Sequence, residues 1–246
     1  MTRTTTVIET RDGRCPASIF TPEGAGPWPA VLMFMDGIGM RPAVLEVGER
    51  IAAHGYYTLV PDLSYRMGPY TAPDPAKLFS DPQVRADWFA RAMANASQAN
   101  AITDTAAYLA FLDAQPQVRG KQFGATGYCM GGGFALTAAG TYPDKFAAAA
   151  AFHPGRIATD APDSPHLLAP KIKATVFVGG AMEDSSFPDD MKQRLIDAFV
   201  AAGVRHTVET FPARHGWVLR DTPVHDPAAA ERHFTSLFAL LDGALR

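Results

Sequence analysis

The segment Gly127-Tyr128-Cys129-Met130-Gly131 limits the possible folds of this chain more than any other stretch. Its two glycines bracket the middle residues at the spacing of a strand that turns abruptly into a helix, a path open only where side chains are missing. Lys121 to Thr126 supplies the strand and Phe134 to Ala139 the helix, so the turn is expected to lift Cys129 above the edge of a sheet. A cysteine simply buried in a glycine-rich turn is the plainer alternative. Burial alone explains neither the paired glycines nor the acid and histidine further along.

The flanking pattern agrees with such a sheet. Thr4–Glu9 and Arg14–Phe20 alternate around Asp12-Gly13, which predicts an antiparallel hairpin at one edge. The unbroken apolar run Ala30–Met35 reads as a buried central strand that opens at Asp36-Gly37. Val44–His54 has helical period and stops at Gly55, and Tyr56–Val60 is the next strand. Residues 63–95 hold Pro, Asp, Met and aromatics without a clean period, which predicts an excursion with one or two short helices covering a site. Beyond it come a helix over 97–114, the elbow, strands at Phe146–Phe152, Ala174–Val178 and Val204–Phe211, and helices at Asp189–Ala202 and Pro227–Leu241. This alternation predicts a doubly wound, mostly parallel α/β sheet with an N-terminal antiparallel hairpin, formed by residues 1–246 as one domain, with its site at the carboxyl ends of the strands.

Composition narrows the partners. A hydrophobic fraction of 47% in 246 residues fills a sizeable core. Net charge is −3 with both signs interspersed, which argues against nucleic acid or a membrane surface and for a small molecule. Met1–Thr10 lacks a basic-then-apolar leader, and no apolar run approaches spanning length, so a cytoplasmic protein, monomeric or a small homo-oligomer, is expected. The two cysteines, Cys15 and Cys129, are expected to be free thiols, with Cys15 structural.

Cys129, Asp184 and His215 follow the chain order nucleophile, acid, histidine of the α/β-hydrolase fold, and each lies just past a predicted strand. Of seven histidines, His215 is the one that sits directly after the last strand, in Pro212-Ala213-Arg214-His215-Gly216-Trp217. His54 ends a helix and His206 lies within a strand, whereas His153 follows a strand and either lines the pocket or packs. Spacing does not choose between Glu183 and Asp184 as the acid. An ordinary thiol is mostly protonated at neutral pH, so reactivity requires a base such as His215, a carboxylate to orient that base, and a helix N-terminus near sulfur. The amides of Met130 and Gly37 are the candidate donors to an oxyanion. The chemistry requires neither metal nor cofactor.

Gly-Tyr-Cys-Met-Gly-Gly at 127–132, Asp184-Ser185-Ser186-Phe187-Pro188 and Ala213-Arg214-His215-Gly216-Trp217 together resemble the dienelactone hydrolase family, over nearly the whole chain. The resemblance implies Asp184 as the acid, and a cysteine hydrolase that cleaves a small lactone or ester through a thioester acyl-enzyme. It also marks Asp36, where the family usually has a longer glutamate that helps take the thiol proton; the other reading is that Asp36 hydrogen-bonds its own turn. Arginines bind an anionic group in family members acting on dienelactone, which makes Arg66 and Arg220, with Trp88 and Trp217, the candidates for substrate contact. A general carboxylesterase or thioesterase on the same fold is the alternative, and a non-enzymatic small-molecule-binding or thiol-sensing protein stands further off.

Overall fold

The computed structural model describes residues 1–246. An eight-stranded sheet runs in the order β1-β2-β4-β3-β5-β6-β7-β8. The strands are β1 (Thr2–Thr10), β2 (Gly13–Thr21), β3 (Ala30–Phe34), β4 (Tyr57–Pro61), β5 (Phe123–Tyr128), β6 (Phe146–Phe152), β7 (Thr175–Ala181) and β8 (His206–Phe211). The hairpin β1–β2 is antiparallel, with Thr10 opposite Gly13, and β2 meets β4 antiparallel. All later pairings are parallel. This is the α/β-hydrolase fold anticipated from the strand and helix alternation.

The parallel strands read as they do because both faces are covered. β3 and β5 are buried at every position, and β6 is almost pure alanine, whose small side chains let helices sit close. Helices α1 (Pro42–Ala53), α4 (Gln98–Asp113), α5 (Met130–Thr141), α6 (Asp189–Ala202) and α7 (Pro227–Leu245) provide the cover. Between β4 and α4 lie a short turn at Tyr65–Met67 and the helices α2 (Pro75–Ser80) and α3 (Pro82–Asn95). Asp74 and Asp81 cap these two helices and proline opens each, so local chemistry stops and restarts the chain twice. Only Ala92 of α3 is buried. Helix α3 therefore lies on the surface of the molecule, while Leu63 and Leu78 of the same excursion are buried.

Because the sheet is parallel, the loops after β3, β5, β6, β7 and β8 all emerge at one edge. That edge holds Asp36, Cys129, His153, Asp184 and His215. No helix is long and apolar enough to cross a membrane.

Candidate active site

The turn at Cys129 is made by absent side chains. A Cβ on Gly127 would lie 1.9 Å from the Gly131 carbonyl oxygen, and one on Gly131 would lie 2.4 Å from that of Met35. Strand, turn and helix thus touch backbone to backbone, and α5 starts hard against the end of β3. The strain falls on Cys129, with φ 54° and ψ −118°, a conformation that costs about 1–3 kcal/mol and is held by its surroundings. Its amide donates to Phe152 O at 3.1 Å and to His153 Nδ1 at 3.2 Å. The next amide, Met130, opens α5, where a helix N–H has no partner within the helix. The Gly37 amide likewise meets no protein acceptor.

His215 and Asp184 are joined. His215 Nδ1 lies 2.8 Å from Asp184 Oδ2, and the Ser186 amide donates to Oδ1 at 2.8 Å. Asp184, not Glu183, faces the imidazole; Glu183 is exposed with φ 53°. Burial opposes a charged ring at His215, but Asp184 and then the Cys129 thiol outweigh it and raise its pKa to about 10. Burial likewise works against the Asp184 carboxylate, and His215 with the Ser186 amide overcomes it, holding Asp184 below the usual carboxylate range. Cys129, Met130 and His215 line one cleft of about 410 Å³, with Phe134, Met93 and Arg156 among the other walls.

His153 is fully buried behind this group with φ 36°. Its ring centroid lies 5.2 Å from that of His215 and 4.9 Å from that of Trp217. Burial, then the neighbouring His215, pushes its pKa well down, so it stays neutral. Of the two readings open for His153 from sequence, packing against the site is the one observed.

Five expected contacts are placed elsewhere. Asp36 is buried, and both its oxygens are taken by Arg41, at 2.7 and 2.9 Å, while Oδ1 also accepts from the Ile38 amide at 3.1 Å. It therefore ties down its own turn, and Arg41 carries the tie on to Asp221 at 2.7 Å. Arg66 is claimed by buried Asp104 and by Asp12, each at 2.7 Å. Arg220 pairs with Glu46 at 2.5 Å on another face. Trp217 is wholly buried, its ring stacked on Phe211. Trp88 does not line the cleft; its indole N–H donates to the Gly37 carbonyl at 2.9 Å. Arg66, Arg220 and Trp88 are each engaged by a partner distant in sequence, whereas Asp36 is held within its own turn and Trp217 is packed into the core.

Arg156 is the residue missed. It lines the cleft, forms no ion pair with the protein, and sits at φ 58°, with its amide bonded to Ser186 O at 2.8 Å. The available signal was its position two residues past Pro154, at the same sheet edge as the other loops. No group of three or more His, Cys, Asp or Glu side chains is placed to hold a metal ion.

An eight-stranded, mostly parallel sheet with a side chain raised on a strained strand-to-helix turn, and an Asp–His pair on the following loops, defines an α/β-hydrolase. Residues 15–245 match the dienelactone hydrolase family, and the chain belongs to that family of carboxylic-ester hydrolases. A Synechocystis protein named "Putative carboxymethylenebutenolidase" is 25% identical over 213 residues, covering 85% of this chain and 83% of its own. A Klebsiella pneumoniae chain described as a "Putative Dienelactone Hydrolase" shares the fold at TM-score 0.84, with 20% identity over 98% of both chains. A dienelactone hydrolase-like promiscuous phosphotriesterase from metagenomic libraries superimposes at TM-score 0.76, with 25% identity and full coverage of both chains.

Proposed function

We propose that the protein hydrolyses a small ester or lactone, with Cys129 as nucleophile, His215 as acid and base, and Asp184 orienting the imidazole. The observation that carries this reading is the 2.8 Å Asp184–His215 bond at a cleft whose other wall is the strained Cys129 turn. A ring that keeps its proton to about pH 10 beside sulfur is suited to accept the thiol proton and hold it. Sulfur then attacks the carbonyl, and the amides of Met130 and Gly37 take the oxyanion. Collapse breaks the ester C–O bond, and the leaving oxygen receives the proton from His215. Water, deprotonated by His215, attacks the thioester and releases the acid and the thiol. Asp36 is engaged by Arg41, so it steadies the loop and leaves the proton to the histidine.

The same cleft favours a substrate bearing an anionic group. Arg156 is its one arginine, and the two expected from sequence are occupied elsewhere. The direct test is mass spectrometry after brief exposure to a panel of lactones and aryl esters. An acyl adduct is expected on the peptide holding Cys129 and nowhere else; turnover with no adduct there, and with Cys129→Ala still active, would remove the thioester route.

A further inference from the structure

Residues 36–40 form the loop that follows β3, and the excursion grips it at both ends. At one end the Trp88 indole N–H donates to the Gly37 carbonyl at 2.9 Å. At the other the Met40 amide donates to the Tyr70 hydroxyl at 2.9 Å, and that hydroxyl donates to Asp62 at the end of β4 at 2.7 Å. The rings of Tyr70 and Trp88 are neighbours, 5.8 Å apart. Between the two grips the loop is kept bare. A Cβ on Gly37 would stand 3.1 Å from Phe89, and one on Gly39 would stand 3.0 Å from Tyr70 and 3.3 Å from Trp88. The excursion packs on glycine backbone because no side chain intervenes.

We infer that Trp88 is a positioning residue for the oxyanion site: its bond holds the Gly37–Ile38 peptide plane, whose Ile38 amide is tied back to Asp36 Oδ1 at 3.1 Å, so the turn is pinned on both sides of Gly37 and the direction of the Gly37 amide with it. The inference rests on the proposed role of Gly37 as a donor. An amide turned away from the developing charge loses most of its worth, because such donors act only where the charge appears. Trp88 touches neither the cleft nor sulfur, so its contribution is confined to steps that create an oxyanion.

That confinement supplies the test. Trp88→Phe keeps a ring but removes the N–H. Hydrolysis of a neutral aryl ester passes through an oxyanion, whereas alkylation of Cys129 by iodoacetamide is a displacement at carbon that forms none. Trp88→Phe is expected to lower kcat about 10- to 100-fold, with KM and the alkylation rate each changing less than about twofold. Tyr70→Phe, which frees the other end of the loop, is expected to act in the same direction and provides the reading if Trp88→Phe does not fold. An unchanged kcat in a folded Trp88→Phe protein, a raised KM with kcat intact, or equal loss of alkylation and hydrolysis would each overturn the assignment. A wild-type protein that alkylates at Cys129 but turns over no ester would end the hydrolase reading and this inference with it.

Discussion

Cys15 and Cys129 carry the same thiol into opposite settings. Cys15 lies on β2 with no exposed surface; its sulfur is 3.4 Å from the Tyr108 hydroxyl and 3.5 Å from the Asp62 carbonyl oxygen. Burial foremost, then the charges of Asp62 and Asp104, push its pKa up to about 12. Cys129 is half-buried at the start of a helix, faces a cleft and lies against a histidine that favours positive charge. Depth and acidic neighbours keep a proton on the Cys15 sulfur, whereas the Cys129 sulfur sits at an opening beside His215. Which fate a cysteine meets is decided by the fold around it.

The most severe way to break this contrast is to delete each sulfur. Cys129→Ala is expected to lower kcat/KM for an aryl ester by on the order of 10⁴-fold or more. Cys15→Ala should leave the rate within about twofold and cost about 1–2 kcal/mol of stability as a small buried cavity, read as a lowered melting temperature. Equal activity losses would erase the distinction. Removing the orienting acid comes next. Asp184→Asn is expected to lower kcat about 100-fold or more by loosening the imidazole.

That variant also has a signature in stability. The folded pKa of His215 is raised to about 10, so its pairing stabilises the fold fully below the ordinary histidine value and is lost as pH rises through about 10. Wild-type melting temperature should therefore fall between about pH 6.5 and 10 more steeply than that of Asp184→Asn. Parallel pH curves would show that Asp184 does not set the charge on the ring.

Milder probes sharpen the same comparison. Iodoacetamide at neutral pH is expected to label Cys129 in the folded protein and Cys15 only after denaturation, as read by peptide mass spectrometry. The smallest expected effect concerns charge at the cleft. Arg156→Gln should slow labelling of Cys129 by anionic iodoacetate about tenfold, equivalent to about 1.4 kcal/mol, while leaving neutral iodoacetamide unaffected. A similar change with both reagents would assign Arg156 a packing role.

The elbow and His215 were legible because they depend on local rules: glycines where backbone must touch backbone, and polar residues immediately after apolar strands; those rules left Glu183 and Asp184 equal, and only the family resemblance chose Asp184. The same rules gave α6 its bounds at Asp189 and Ala202 and announced the hairpin, whose turn residues are Arg11-Asp12, one place before the expected Asp12-Gly13. The arginines were not legible. Arg66 finds Asp104 and Arg41 finds Asp221 across spans of 38 and 180 residues, and no spacing along the chain records such a meeting. Asp36 was correctly located at a strand end, but its engagement by Arg41 could not be foreseen, because that arginine looks like any residue just before a helix. Trp88 was sensed as part of a cover; that it would point at a carbonyl rather than at substrate depends on how α3 lies across the loop.

Met93 is both a wall of the cleft and a neighbour of Gly37, its methyl group 3.4 Å from where a Cβ on that residue would stand. Selectivity and speed therefore share one hinge point. A substitution at Met93 meant to admit a bulkier substrate also removes a weight resting on Gly37, the proposed oxyanion donor, so on that reading enlarging the cleft is expected to slow the chemistry unless the lost volume is refilled from above.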